Sequence, residues 1–378
     1  MKKKNNPFLL KGYISKELFC DRQIEVEQLF SHVKNGIDTT LISPRRMGKT
    51  GLIFRFFDHL NENSDIKPIY VDIFSSRNLS EFIKLIAEAI LHQYPEKTRV
   101  GNGFLEFIKG FRPLIGFDPL TGQPQIQINY QSNHEKENTL QGLFTFLENQ
   151  EEQIVIAIDE FQQISEYPEK NIEALLRTNI QKLKNIRFIF CGSRKGMMIN
   201  IFSNAKRPFY ASTQYLSLEE IDREEYAQFI QNKFSESGIS ITEEALIMIL
   251  DWSLMHTFYT QSLCNLLFYI SENQLSIETV KFACAELLKR NEPVFYQYRQ
   301  LLTPAQWNFL IAIAKEGKVK QLTAQKFISQ YEIGTPANAR RISRALLDKE
   351  LLLELQTKKE TSYRVYDVFL SRWLENEY

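Results

Sequence analysis

The chain has 378 residues, of which 43% are hydrophobic, and its 46 basic side chains are balanced by 46 acidic ones. This length exceeds what one ordinary core holds and predicts two or three domains. The balanced charge excludes a protein whose overall field attracts nucleic acid or a membrane, so any such surface must be local. The aromatic share of 12% argues against disorder.

The cysteines and the opening residues indicate the compartment. The four cysteines form no CxxC pair, which predicts free thiols and neither a zinc site nor a disulfide framework. They are Cys20, Cys191, Cys264 and Cys284. The opening run MKKKNNPFLL is basic but lacks an apolar stretch, so we expect no secretory signal. No apolar run approaches the roughly 20 residues of a membrane helix, and we expect a cytoplasmic protein.

Helix-like and strand-like segments alternate through the first half of the chain. Helical spacing of apolar residues predicts helices over 22–34, 50–60, 79–93, 137–149 and 168–183. Short β-prone runs predict strands at 39–42, 69–73, 154–158, 188–191 and 214–218. Such alternation predicts an α/β domain with a parallel sheet and helices on both faces.

Residues 100–134 depart from this alternation. One alternating run ends near Phe117 and another covers 125–130, and the turn between them, 117–124, is rich in Pro, Gly and Asp. This pattern predicts a β-hairpin inserted into the α/β domain.

Helical signals dominate the second half of the chain. We expect residues 222–290 to form a small all-helical domain and 291–300 to form a polar connector. The segment 301–378 shows three helices followed by two β-prone runs around Lys358-Lys359, which is the order of a winged helix. The predicted domains are an α/β domain over 1–219, a helical lid over 220–295 and a winged-helix domain over 296–378.

The strongest chemical signal is the loop Ser43-Pro44-Arg45-Arg46-Met47-Gly48-Lys49-Thr50, between a predicted strand and a predicted helix. In a P-loop, permissive residues let backbone N–H groups wrap a phosphate at a helix N-terminus. A lysine then reaches the outer phosphates and a hydroxyl ligates Mg²⁺, and Lys49 and Thr50 fit these roles. Ser43 replaces the first glycine of GxxxxGK[ST], so this stretch alone also fits an ordinary strand–turn–helix.

The second signal is the continuous apolar run 154–158, which ends in Asp159 and Glu160. Carboxylates at the end of a buried strand indicate that the strand opens on a polar site. Asp159 would hold Mg²⁺ directly or through water, and Glu160 would orient and deprotonate the attacking water. The alternative is a capping pair, but the loop upstream favours a P-loop nucleoside triphosphatase that binds Mg-ATP and hydrolyses it.

Two further polar residues are candidates for the same site. Ser193 follows the next predicted strand, where it holds the water, senses the γ-phosphate or merely caps a helix. Arg207 lies just before the last predicted strand. It either reaches a γ-phosphate, in its own subunit or a neighbour's, or forms a structural ion pair.

At this point the residues resemble the archaeal-type ATPases, a branch of the STAND and AAA+ P-loop nucleoside triphosphatases. The N-terminal segments Asn6-Pro7-Phe8 and Phe19-Cys20-Asp21-Arg22-Gln23-Ile24-Glu25 resemble its PF…FxGRexE box, and 43–50 resembles its GPRRxGKT loop. Later segments resemble its FDPxTGxP hairpin (117–125), its DEFQ motif (159–162), its GS…RPFY segment (192–193 and 207–210) and its GHPYYLQ stretch (256–261). The resemblance runs through the whole chain.

This resemblance implies an ATPase core, a helical lid and a C-terminal winged helix, acting together as a nucleotide-driven switch. It places Arg22 beside the adenine and His256 facing the nucleotide from the lid. The sequence alone leaves His256 equally suited to a packed core. The predicted nucleotide contacts are Ser43, Pro44, Arg45, Arg46, Met47, Gly48, Lys49, Thr50, Gly51, Arg22 and His256.

The predicted helix 336–349 carries Arg340, Arg341 and Arg344 opposite its apolar face. A DNA-reading helix places cations at such positions. The alternative is a solvated charged face on a module that docks a protein partner or acts as a regulatory lid on the ATPase. The segment 301–378 has 12 Lys or Arg and 9 Asp or Glu, an excess that is mild for a DNA binder. The sequence therefore favours an ATPase switch and leaves open an ATP-licensed DNA-binding protein or a nucleotide-binding adaptor. It does not fix the oligomeric state.

Overall fold

The computed structural model describes residues 5–95, 98–110, 113–117, 124–128, 130, 132–356 and 360–378. The chain divides into two compact units. The first unit is Lys11–Glu220, and the second combines Met1–Leu10 with Ile221–Tyr378. The three predicted domains remain a prediction.

The first unit alternates strands and helices. Its strands are β1 (Thr39–Ile42), β2 (Lys67–Asp72), β3 (Pro113–Phe117), β4 (Pro124–Ile128), β5 (Ile154–Asp159), β6 (Ile186–Gly192) and β7 (Gln214–Ser217). Its helices are α1 (Gln23–Lys34), α2 (Lys49–Asn63), α3 (Leu79–Gln93), α4 (Arg99–Lys109), α5 (Asn133–Glu148), α6 (Ile172–Ile180) and α7 (Lys195–Ser203). Short 3₁₀ helices cover Lys16–Leu18 and Phe161–Glu166.

Five strands form a parallel sheet in the order β2-β5-β6-β1-β7, as the alternation predicts. Successive residues of β5 enter two different cores: Ile156 belongs to one, whereas Val155 and Ala157 belong to the other. Because neighbouring residues of a strand point to opposite faces, both faces of the sheet are covered. Full burial of β5 explains its continuous apolar sequence.

The predicted hairpin is confirmed by antiparallel pairing of β3 with β4, whereas its turn, 118–123, lies outside the described residues. The backbone N–H of Ile126 donates a 2.8 Å hydrogen bond to Glu88 of α3 and so attaches the hairpin to the domain. The preceding helix, α4, is not predicted. Its Gly101 lowers helix propensity, but a Cβ at this position would overlap with the backbone carbonyls of Tyr94 and Pro95.

The second unit is mainly helical. Its helices are α8 (Arg223–Ser235), α9 (Glu243–Trp252), α10 (Thr257–Ile270), α11 (Ile277–Leu301), α12 (Pro304–Glu316), α13 (Gln325–Gln330), α14 (Pro336–Asp348) and α15 (Val368–Glu377). Its strands are β8 (Ser240–Ile241), β9 (Gln274–Leu275), β10 (Leu352–Gln356) and β11 (Thr361–Val365). The parallel two-residue pair of β8 and β9 is absent from the prediction, because pairs this short leave no alternating pattern.

The predicted polar connector over 291–300 is wrong, because α11 continues without interruption to Leu301. Pro293 lies inside this helix, although proline removes one backbone hydrogen bond there. Tertiary packing offsets that loss: Phe295 is buried, and its ring centre lies 5.4 Å from that of Trp373 in α15. One helix therefore joins the predicted lid segment to the winged-helix segment.

The winged helix is confirmed by α12, α13 and α14 followed by the antiparallel pair β10–β11. A backbone bridge between Val319 and Tyr363 adds a third, one-residue strand. The predicted turn at Lys358-Lys359 lies outside the described residues. Helix α15, capped by Asp367, is not predicted from the sequence.

All four cysteines are buried, and none of them forms a disulfide. Among the helices of the described residues, none is long and apolar enough to cross a membrane.

Candidate nucleotide site

The predicted site residues of the first unit meet at the carboxyl end of the sheet. Strand β6 lies between β1 and β5, with Ile42 paired to Gly192 and Ile158 paired to Phe190. Since parallel strands end at the same edge, the loop after β1, the carboxylates that end β5 and Ser193 after β6 share that edge.

The loop after β1 has the backbone shape of an anion cradle. Arg46 and Gly48 take left-handed conformations, with φ of 63° and 96°, and α2 begins at Lys49. Alternating handedness turns successive N–H groups toward one point, and the helix dipole adds positive potential there. Ser43, in place of the usual glycine, is buried and donates a 3.0 Å hydrogen bond to the Pro44 carbonyl. The loop therefore fits a phosphate without the first glycine.

The remaining predicted loop contacts differ in exposure. Arg45 and Arg46 are exposed, whereas Met47 is buried. Gly51, in the first turn of α2, contacts the N-terminal box, since a Cβ there would lie 3.0 Å from the Phe19 ring.

Lys49 is a buried cation at the mouth of this loop. Its side chain is 7% exposed, and its Nζ donates to the carbonyls of Ser43 and Pro44 over 3.4 Å each. Burial lowers its pKa, and the charges of Asp159 and Glu160 oppose that shift. These 3.4 Å hydrogen bonds are long, so a phosphate would be a stronger partner for the ammonium group.

Asp159 and Thr50 form the pair that would hold Mg²⁺. The Thr50 hydroxyl donates a 2.8 Å hydrogen bond to Oδ2 of Asp159, which is 4% exposed. The backbone N–H of Glu160 donates to Oδ1 over 2.9 Å. A hydroxyl and a carboxylate side by side are the hard oxygen ligands that Mg²⁺ prefers.

Tyr70 is a member of this site that the sequence analysis missed. Its hydroxyl donates a 2.9 Å hydrogen bond to the same Oδ2 of Asp159. Burial raises the pKa of Tyr70 and the neighbouring Asp159 raises it further, so the phenol stays protonated and remains a donor. Only the pairing of β2 with β5 reveals this contact.

Glu160 lies just beyond the buried strand and is half-buried. Its Oε2 accepts a 2.9 Å hydrogen bond from the Ser193 hydroxyl and another from the Gln162 amide. Ser193 therefore contacts the proposed catalytic carboxylate, and its action as a γ-phosphate sensor remains a prediction. No local pattern in the sequence predicts this contact of Gln162.

Arg207 forms the ion pair that the sequence left as one alternative. Its guanidinium makes two hydrogen bonds to Glu173 and a 3.2 Å hydrogen bond to the Ser165 hydroxyl. Its side chain is 29% exposed. Burial raises the pKa of Glu173, and the neighbouring charge of Arg207 opposes that shift. A γ-phosphate contact by Arg207 remains a prediction.

Arg22 is buried and holds two parts of the first unit together. It pairs with Glu25 over 2.8 Å and donates a 2.6 Å hydrogen bond to the Glu219 carbonyl, after β7. Both Asp21 and Arg22 have left-handed backbones, with φ of 57° and 70°, which explains why the family pattern has glycine at position 21. The adenine contact of Arg22 remains a prediction.

The other predicted residues belong to the second unit. His256 precedes α10 and is buried, with its ring centre 4.7 Å from that of Tyr259; its nucleotide contact remains a prediction. Arg340, Arg341 and Arg344 are exposed on α14, opposite the buried Ala339 and Ile342, as predicted.

A parallel sheet in this order, with a Gly-Lys-Thr loop after β1 and paired carboxylates after β5, defines a P-loop nucleoside triphosphatase. A family model described as an ATPase domain predominantly from Archaea matches residues 19–253. The match covers more than half of the chain, and the protein belongs to that family. A second model, for a probable winged helix domain, matches residues 293–376.

Solved structures share this fold at low sequence identity. A Walker-type ATPase of Pyrococcus abyssi is 19% identical with a TM-score of 0.67, covering 97% of this chain and 99% of its own. The ORC2 protein of Aeropyrum pernix is 17% identical with a TM-score of 0.58, covering 99% and 97%. The ORC1 protein of the same organism, solved in complex with DNA, is 15% identical with a TM-score of 0.52, at the same coverages. The comparison with curated proteins gives no match.

Proposed function

We propose that this protein binds Mg-ATP, hydrolyses it to ADP and phosphate, and changes conformation with its nucleotide state. One observation carries the proposal: the Thr50 hydroxyl, at the start of α2, is hydrogen-bonded to Asp159 at the end of β5. This contact joins the phosphate cradle to the carboxylate pair, as hydrolysis of a metal-bound triphosphate requires.

Each residue has a separate task in the proposed reaction. The loop N–H groups and Lys49 bind the phosphates. Thr50 and Asp159 would hold Mg²⁺, which supplies positive charge against the phosphate oxygens. Glu160 accepts a proton from water as the water oxygen bonds to the γ-phosphorus. The bond from that phosphorus to the β–γ bridging oxygen breaks, which releases ADP and phosphate.

Contacts within the second unit support an output through the winged helix. Arg372 of α15 donates hydrogen bonds to the carbonyls of Asp251 and Trp252, at the end of α9, over 2.9 and 3.0 Å. The Phe369 ring centre lies 4.7 Å from that of Tyr259. Since α11 also runs through both parts, a shift of the lid would move the winged helix with it.

Equilibrium ATP titrations with and without Mg²⁺ test this proposal. Wild-type protein should bind ATP more tightly with Mg²⁺, and Thr50→Val, which keeps the shape but removes the hydroxyl, should lose most of that difference. Thr145→Val, on the exposed side of α5, is the matched control. Equal binding with and without Mg²⁺ in the wild type would contradict the proposed metal site.

A second candidate, ATP-licensed DNA binding, is favoured by the exposed arginines of α14. Exposed cations on a winged-helix surface suit contacts with DNA phosphates. Such binding releases counterions from the DNA, so its affinity falls as the salt concentration rises. In this case Arg340→Ala with Arg344→Ala should reduce both DNA affinity and its salt dependence. Lys289→Ala with Arg290→Ala, exposed on α11, removes equal charge as a control. If both pairs behave alike, this candidate fails.

A further inference from the structure

The side chain of Gln162 points back toward Glu160, which lies two residues earlier in the chain. Glu160 has a left-handed backbone with φ of 55°, and the 3₁₀ helix Phe161–Glu166 begins at the next residue. This turn lets the Gln162 amide donate a hydrogen bond to Oε2 of Glu160. Ser193 donates to the same oxygen over 2.9 Å. Two donors from different segments therefore hold one oxygen of the proposed general base.

The second oxygen of Glu160 has different surroundings. Across the described ranges, no hydrogen-bond donor reaches Oε1, and the side chain is only half-buried. A carboxylate held through one oxygen and open at the other has a fixed direction in which to accept a proton from water. Without the two donors, the carboxylate would rotate and meet that water less often in a productive geometry.

Gly192, the last residue of β6, leaves the space that Gln162 occupies. A Cβ at this position would overlap with the Gln162 amide oxygen and with the Met198 side chain. Even alanine therefore does not fit unless Gln162 moves. The Gly-Ser pair at the end of β6 thus helps to hold Glu160 in two ways, since Gly192 leaves room for Gln162 and Ser193 supplies the second donor.

Packing alone does not explain an amide at this position. Gln162 is 4% exposed, and within the described part of the chain its Oε1 has no hydrogen-bond partner. A buried amide oxygen without a partner costs free energy that a methionine of similar length would avoid. The hydrogen bond to Glu160 is what the amide supplies and methionine cannot.

From this geometry we propose that Gln162 is a positioning residue for Glu160: together with Ser193 it holds Oε2, so that Oε1 faces the attacking water. This inference rests on the proposed hydrolysis, in which Glu160 is the general base.

Gln162→Met tests the inference, with Gln163→Met as a control at the neighbouring, more exposed glutamine. Steady-state phosphate release should slow about 10- to 100-fold in Gln162→Met, while KM and ATP affinity stay within about twofold. The melting temperature should stay unchanged or rise, because a buried unpartnered amide oxygen is removed. Gly192→Ala should slow release in the same way, and Gln163→Met should match the wild type.

The double variant separates positioning from other effects. Because Gln162 acts through Glu160, adding Gln162→Met to Glu160→Gln should not slow single-turnover hydrolysis further. Three outcomes would each overturn the positioning role but leave the proposed hydrolysis intact. They are an additive loss in the double variant, a wild-type rate in Gln162→Met, and a lower melting temperature of Gln162→Met with weaker ATP binding. If the wild type releases phosphate no faster than Glu160→Gln, the hydrolysis proposal fails and this inference fails with it.

Discussion

Charged side chains at the carboxyl end of the sheet and on α14 are held in opposite ways. Lys49 and Asp159 are buried and fixed by neighbouring loop carbonyls and hydroxyls, whereas Arg340 and Arg344 are exposed to water. Burying a charge is costly unless specific partners compensate it. The fixed charges at the sheet edge therefore indicate one kind of ligand, whereas the solvated arginines of α14 suit DNA, a protein partner or water equally.

The largest loss of ATP affinity should come from Lys49→Met, which keeps a buried side chain of similar length but removes its charge. We expect ATP affinity to fall about 10- to 100-fold, the range for a lost hydrogen bond to a charged group. Lys34→Met, at the exposed end of α1, controls for a general loss of positive charge. Equal ATP affinities in both variants would contradict a role of Lys49 in phosphate binding.

Arg22→Ala should destabilise the first unit by about 2 kcal/mol, because it leaves Glu25 and the Glu219 carbonyl without a charged donor. Arg340→Ala should change stability by less than about 0.5 kcal/mol, as is usual at exposed positions. Urea denaturation of the two variants measures this contrast directly. Similar losses in both would contradict the distinction between held and solvated arginines.

A half-buried carboxylate at the opposite end of the sheet gives a pH test. Burial raises the pKa of Asp38, just before β1, to about 6, although the Phe188 N–H and two arginines oppose the shift. Since the folded-state pKa exceeds the unfolded value, its stabilising contribution is full below about pH 4 and is lost as pH rises through about 6. The size of this loss is about 3 kcal/mol.

Asp38→Asn keeps a hydrogen-bond acceptor for Phe188 but does not titrate. The free energy of unfolding of Asp38→Asn, relative to that of the wild type, should therefore rise between pH 4 and pH 7. Asp65→Asn, at an exposed position, should show no such gain. A constant difference between Asp38→Asn and wild type across this range would contradict a raised pKa.

The smallest expected change in ligand binding is that of Tyr70→Phe, which removes one of two hydroxyl donors to Asp159. A single hydrogen bond contributes about 1 kcal/mol, so the Mg²⁺ concentration needed for half-maximal ATP binding should rise about fivefold. Tyr215→Phe, exposed on β7, is the control. An unchanged Mg²⁺ requirement would show that Tyr70 does not help to orient Asp159.

The sequence predicts the parts of this site that depend on neighbours along the chain. Asp159 and Glu160 end a continuous apolar run, and Lys49 and Thr50 follow Gly48, so local patterns identify all four. Tyr70 contacts Asp159 only because β2 pairs with β5 in one register, and strand pairing leaves no local signal. For the same reason, no local pattern in the sequence places Glu173 beside Arg207.

The largest error among the predicted elements, the connector over 291–300, also arises from tertiary packing. Residues 291–300 are polar and contain Pro293, which favours a break, yet α11 extends across them. Phe295 packs against Trp373, which is 78 positions further along the chain. Local propensity is a weak prior when such burial stabilises the helix.

The most direct test of the account compares phosphate release by wild type and Glu160→Gln at saturating Mg-ATP. Glutamine keeps the shape of Glu160 but cannot accept the proton, so release should fall about 10²- to 10⁴-fold while ATP binding is retained. Glu166→Gln, at the exposed end of the 3₁₀ helix, should release phosphate at the wild-type rate. Equal release by wild type and Glu160→Gln, with both binding ATP, would contradict hydrolysis at this site.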